Sequence, residues 1–341
     1  MKNMFCTLGA MLLLAAPLVS KAQGRNANMF ATNLPGVITF AAPPEGFGAL
    51  TASDEQLADF GFPPRPDPAV LPKQYASWAK AILASHTRIV PTLEQTSIFH
   101  GPARLREEVE SGRASTLESY NWSGYVDLND ATRFGSSSFS AIATDVVVPT
   151  ASQAFGVCSG NADYGSSWAG MDGATSNDVL QAGIEFDAYC FEGVTATLYS
   201  AWFEWYPSAE IRITNFPIAP GDDYFLEVWN TSATQGYAYL VNENANEAVT
   251  ISFNPPSGTK LIGNSAEWIT ERPESNGTTA TLTNYIAEPF WNAYGTTHEN
   301  RVFDPGSSAA MVMFDSNSKE ISYPTLLGDS AFLTQDANSA R

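Results

Sequence analysis

Three short stretches of the chain carry polar residues at alternate positions, the spacing that places them on one face of a strand. In Leu180-Gln181-Ala182-Gly183-Ile184-Glu185-Phe186 the residues Gln181, Gly183 and Glu185 share a face, and Leu180, Ala182, Ile184 and Phe186 share the other. In Ala201-Trp202-Phe203-Glu204-Trp205-Tyr206 the residues Trp202, Glu204 and Tyr206 fall together, and in Glu267-Trp268-Ile269-Thr270-Glu271 the two carboxylates do. If these strands are neighbours, Gln181, Glu204, Glu267 and Glu271 gather with aromatic rings on one concave sheet. Such a set offers carboxylates for general acid–base work and a carboxamide as a neutral hydrogen-bond donor. The pattern alone fits a solvated sheet face with scattered Glu and Gln equally well.

Elimination narrows the chemistry. From Ser119 to the C-terminus the chain has 26 Asp and Glu, 7 Lys and Arg, and one histidine, His298, which reads as an ordinary loop residue. There is no Gly-x-Ser-x-Gly elbow, no Asp-Thr-Gly or Asp-Ser-Gly, no phosphate-cradling glycine loop and no His-Glu-x-x-His. Outside the first 22 residues only Cys158 and Cys190 remain, a possible disulfide in an oxidising compartment and, with a single histidine, a poor zinc site. We therefore expect neither a metal nor a cofactor. The net charge of -19 opposes binding to nucleic acid or anionic lipid and suits an acidic medium, where protonation relieves the repulsion.

The elements that must hold these residues are strands. From Tyr120 onward short β-branched and aromatic runs such as Thr144–Val148, Tyr224–Trp229 and Ala248–Phe253 alternate with Gly, Pro, Asn and Ser. This texture predicts an all-β, antiparallel two-sheet sandwich over residues 116–341. Residues 1–22 read as a secretory signal peptide, with an apolar run from Met4 to Val19 and small residues before the expected cut after Ala22. Residues 23–115 differ from both. Ser53-Asp54-Glu55-Gln56 is a capping-box pattern, a second helix is expected to start near Pro72, and Arg104–Arg113 reads as a polar helix or linker. Between the two helices, Phe62–Pro68 is an extended proline run. We read 23–115 as a small, mainly helical, removable prosegment whose proline run and basic residues lie along an acidic cleft.

Five motifs in order give these strands a family likeness. Asn121-Trp122-Ser123-Gly124-Tyr125, Ser167-Trp168-Ala169-Gly170-Met171-Asp172-Gly173, Leu180–Gly183, Ala201–Pro207 and Ser265–Glu271 resemble the glutamic peptidases, or eqolisins. The prosegment resembles those of bacterial members. The resemblance implies a lectin-like sandwich that cuts peptide bonds in acid with a Gln and Glu dyad, Gln181 and Glu271 by motif position, with Glu267 the less favoured alternative. It further implies that Trp122, Trp168, Asp172, Trp202 and Glu204 line or support the cleft. Glu185 and Ser200 stand where fungal members have Asp, and Ser176 where they have a bridging Cys, so a Cys158–Cys190 bridge would differ from theirs.

The implied partners are protein or peptide substrates and the chain's own prosegment as an intramolecular inhibitor. The protein is expected to be a secreted monomer, with no membrane attachment once the signal is removed and no nucleic-acid partner. The same strand pattern leaves two other classes open. A glycoside hydrolase would need the paired carboxylates and no Gln181, and a carbohydrate-binding module only the aromatic rings.

Overall fold

Alternation decides the layers. In a computed structural model describing residues 27–84, 87–106, 116–154, 156, 158 and 162–337, Leu180, Ala182 and Ile184 point into a core shared by two sheets, and Gln181 and Glu185 therefore occupy the opposite face. The expected signal peptide and residues 107–113 of the expected linker lie outside the described residues.

The front sheet is antiparallel, in the order Ile211–Ile213, Val194–Tyr206, Val179–Phe191, Ser166–Met171, Ser265–Glu271, Trp122–Leu128 and Ala309–Phe314. The back sheet runs Ala331–Asp336, Ala287–Thr297, Phe139–Val147, Asp223–Ser232, Gln235–Asn242 and Glu247–Phe253, again antiparallel. Glu320–Gly328 pairs with both Ala309–Phe314 and Ala331–Asp336 and carries the ladder from one sheet to the other. Met171, Phe203, Trp205 and Trp268 from the front meet Val146, Leu226, Leu240, Ile251 and Phe290 from the back. Full burial of side chains of this size stabilises by roughly 1.5–3 kcal/mol each, so this layer is the main source of stability. Cys158 and Cys190 are joined as a disulfide, Cα–Cα 5.0 Å.

The segment before Thr116 wraps both outer faces. Its helix Asp54–Asp59 begins with the reciprocal Ser53–Gln56 capping box, and its helix Pro72–Ala84 starts on proline and buries Trp78, Ala81 and Ile82. Together with Phe62 these residues cover Phe225, Trp229, Tyr239 and Val241 on the outside of the back sheet. The rest is largely extended: Ile38–Phe40 pairs with Glu247–Phe253, Leu93–Gln95 with Ile211–Ile213, and Ile98–Phe99 with Glu274–Ser275.

The proline run is not in the front-sheet cleft. It lies against the back sheet, with Pro63 accepting a hydrogen bond from Trp78 and Arg65 stacked over the same indole. Prolines at 63, 64, 66 and 68 have no N–H with which to pair along a strand edge. Leu93–Gln95 does have donors, and it takes the front-sheet edge instead.

Burial also sets how stability changes with pH. It pushes Asp145 up to about 6, Asp178 to about 7 and Glu288 to about 8. The folded chain therefore holds protons that the unfolded chain releases above about pH 4. A raised folded value stabilises fully below the unfolded pKa and is lost as pH rises through the folded one. Each such carboxyl contributes at most about 1.4 kcal/mol per pH unit inside that window. Thermal melts should therefore move up by several degrees between pH 8 and pH 5, at about 2–4 °C per kcal/mol for a domain of this size. A melting temperature that falls steadily over the same range would contradict this account.

Candidate active site

The strand register assembles the polar face row by row. Gln181 lies between Glu204 and Gly170, Gly183 between Trp202 and Trp168, and Glu185 between Ser200 and Ser166. On the far side of Ser166–Met171, Glu267 is opposite Gly170 and Glu271 is opposite Ser166. The glycine in the middle row is required. A Cβ on Gly183 would come within 2.2 Å of the Ser167 carbonyl oxygen and 2.6 Å of the Trp168 Cβ, displacing the indole. As it stands, Trp168 Nε1 donates to Glu271 Oε2 at 2.9 Å and Asn121 Nδ2 donates to Glu271 Oε1 at 3.1 Å.

A piece of the preceding segment runs through this face. The Gln181 carboxamide donates to the backbone carbonyl of His100, the His100 N–H donates to Glu204 Oε2 at 3.0 Å, and Trp122 Nε1 donates to the Gly101 carbonyl at 3.1 Å. The imidazole of His100 lies flat on Trp202, with centroids 3.8 Å apart and planes at 8°. Its Nε2 is 2.9 Å from Glu185 Oε1 and 3.3 Å from Glu210 Oε2, and its Nδ1 is 3.2 Å from Glu271 Oε2. All of these side chains are buried.

Burial alone would lower the His100 pKa. Hydrogen bonding to Glu185, Glu210 and Glu271 outweighs it and holds the ring well above its usual value. Burial raises Glu271, opposed by His100, Trp168 and Asn121, and it holds Glu185 and Glu204 well above the usual carboxylate range. Donor atoms of His100, Glu185 and Glu210 all lie within 4.8 Å of one another, close enough to hold a metal ion. Nε2 is nearest to Glu185 and has hydrogen-bond geometry toward Glu210, and we read the three as an imidazolium between acidic groups.

Not every residue singled out in the sequence joins this cluster. Gln181, Glu271, Trp122, Trp202 and Glu204 touch the inserted segment, and Trp168 acts through Glu271. Glu267 sits in the row of Gln181, across Gly170 and two rows from Glu271, beside Ser265 and near Asp172, Asp127 and Asp178, and burial holds its pKa well above the usual range. Asp172 works at a distance: its carboxylate accepts from the N–H groups of Ile262, Gly263 and Asn264 at 2.7, 3.0 and 2.8 Å, anchoring the entry to Ser265–Glu271. His298 is outside the site, bonded to Asn230 at 3.0 Å.

Sequence reasoning missed His100, Asn121 and Glu210 as site residues. It also expected Arg and Lys in the cleft. Lys80 bonds instead to Glu243, Arg88 to Thr250, Arg104 to Glu274, Arg106 to Glu118, and Arg65 to the Ala49 and Ala52 carbonyls. A histidine 81 residues before its partner leaves no local pattern. The Asn121 signal was present in the first motif, and Glu210 follows a Pro207–Ser208 turn that ends the alternation on which the reading relied.

Known proteins are similar to this chain in sequence and in fold. The family model described as Peptidase A4 family matches residues 120–334. Aspergillopepsin-2 of Aspergillus niger is 28% identical over 249 residues, 67% of this chain and 82% of that one. Scytalidopepsin B of Scytalidium lignicola is 33% identical over 171 residues, 49% of this chain and 58% of that one. A crystal structure of scytalido-glutamic peptidase with a transition state analog inhibitor superposes with a TM-score of 0.53 at 25% identity, covering 64% of this chain and 98% of that one.

Proposed function

The chain belongs to the peptidase A4 (eqolisin) family and is a glutamic peptidase, and from that premise we propose that it is a secreted acid endopeptidase working with Gln181 and Glu271, made as a zymogen whose prosegment is residues 23–115. One observation carries the reading. The Gln181 carboxamide holds a peptide carbonyl of an extended chain while the Glu271 carboxylate closes on the same residue. A carboxamide aimed at a peptide carbonyl has a role in peptide hydrolysis and none in a glycosidase built on two carboxylates.

The reaction follows from those two groups. Ionised Glu271 takes a proton from a water as its oxygen attacks the carbonyl carbon. The Gln181 N–H stabilises the oxyanion, and being neutral it does so at any acidity. Glu271 then delivers the proton to the leaving amine as the C–N bond breaks. Trp168 and Asn121 hold the carboxylate in place, and their hydrogen bonds oppose the rise in pKa that burial imposes. Glu271 works as base only in its ionised form, and the carboxylic acid it becomes is strong enough to protonate the leaving amine.

The inserted segment explains why such a precursor would be silent. Glu271 Oε2 is engaged by both Trp168 and His100, so while His100 is in place that oxygen has no lone pair left to hold a water. Secretion rests on the first 22 residues and on the disulfide. No helix among the described residues is long and apolar enough to cross a membrane.

The direct test is incubation with denatured casein or haemoglobin from pH 2 to pH 7, with cleavage expected only on the acid side. Inhibitors test the class separately. Pepstatin, fluorophosphonates, thiol alkylators and chelators should each leave the rate essentially unchanged, and strong inhibition by pepstatin would return the aspartic class to consideration.

A further inference from the structure

The pocket around the His100 ring carries information about substrates, on the reading just proposed. The carbonyl held by Gln181 belongs to His100 itself, so this side chain marks where a substrate would place the residue that donates the scissile carbonyl. The walls are Trp202, stacked on the ring, and Glu185 and Glu210, paired with its outer nitrogen. Other charges facing the pocket are Asp187 on the same strand as Glu185, Glu204 on the neighbouring strand, Glu271 across Ser166, and Arg212, whose Nη2 is 3.5 Å from Glu210 Oε1. With His100 withdrawn, five carboxyl groups share one guanidinium. An empty pocket of that composition favours a cation. The parallel indole face favours a flat one, which imidazolium satisfies and a lysine ammonium does not.

We infer that Trp202, Glu185 and Glu210 form a specificity subsite that selects a protonated histidine at the residue preceding the scissile bond. Glu185 and Glu210 are the determinants, acting on binding, because neither touches the carbonyl that Gln181 holds. A free histidine is protonated below about pH 6. The selection therefore weakens as pH falls, as the pocket carboxylates take up protons and their attraction for the cation is lost.

The test uses the full chain, acid-activated, with casein as the reporter. Peptides Ser-Ile-Phe-X-Gly-Pro-Ala, copying residues 97–103 with X as His, Phe or Gln, are added as competitors and their Ki measured, or KM if they are cut. At pH 5 the His peptide should bind at least about tenfold tighter than the Phe and Gln peptides, the scale of one charge-assisted contact with a stacked ring. The gap should close toward pH 3 and shrink in Glu185→Gln and Glu210→Gln. Equal Ki values for His and Phe in the wild-type chain overturn the inference without any variant having to fold. So does a His preference that both variants leave intact. Failure to hydrolyse casein at any acid pH would instead sink the peptidase reading on which the inference rests.

Discussion

Glu271→Gln should abolish peptide hydrolysis while leaving the fold intact. The substitution keeps the volume of the side chain and one acceptor oxygen, enough for Trp168 or Asn121 but not for both, and the proton acceptor is gone. Gln181→Ala removes one oxyanion donor, for which the expected loss is on the order of 10²–10³ in turnover. Glu267→Gln is the control. Glu267 shares the row of Gln181 but stands across Gly170 from it, and none of its hydrogen bonds reach the inserted segment, so its loss should cost far less. Circular dichroism establishes folding and casein hydrolysis reads activity. Near-wild-type turnover in Glu271→Gln, with loss in Glu267→Gln, would reverse the assignment of the two carboxylates. Activity in both would remove the dyad altogether.

That the choice between Glu267 and Glu271 needed more than alternation shows what the sequence could carry. Period-two patterning placed Gln181, Glu185, Glu204, Glu267 and Glu271 on one face, because one-sided burial forces the alternation and the sandwich forces one-sided burial. Patterning is blind to which rows adjoin. The register that puts Gly170 between Gln181 and Glu267, and Ser166 between Glu185 and Glu271, depends on pairings between strands about 100 residues apart. Helix signals were legible for the same local reason: the Ser53–Gln56 box and Pro72 are contained within one turn of chain. The path of the proline run was not, because Phe62 is drawn to the aromatic surface of Tyr239 and no local rule says which of two acidic or aromatic faces a segment will cover. His100 was hidden most deeply. Its position is defined by six neighbours, five on three strands and Glu210 just before a fourth, none of them within 80 residues.

Acid activation should then follow from the charge pairs around that residue. The attraction between His100 and Glu185, Glu210 and Glu271 exists only while the ring is protonated and the carboxylates are ionised. It is lost at the high end as pH passes the raised histidine value. At the low end it is lost as the carboxylates protonate, and because burial holds Glu185 and Glu271 above their usual range, that edge lies higher than for exposed glutamates. Removing one partner of such a buried set costs roughly 3–5 kcal/mol. The wild-type precursor should be inactive near pH 7 and, once acidified, be cut between Arg106 and Ser119, leaving Thr116–Ser119 in place beside Ala309–Phe314. His100→Ala should show activity without a lag and at a higher pH, and Glu271→Gln should stay full length unless active enzyme is added. The cut does not by itself release the whole segment. Phe62, Trp78 and Ile82 remain buried against Phe225, Trp229 and Tyr239 on the back sheet, an apolar contact that protonation does not weaken. We therefore expect the amino-terminal fragment to co-elute with the cut enzyme on gel filtration at pH 4, its cleft-filling stretch displaced and its helices still seated. N-terminal sequencing of that peak decides the point: one chain starting near Thr116 would show full removal, and one chain still starting near Gln23 in a sample that digests casein would show a permanent domain.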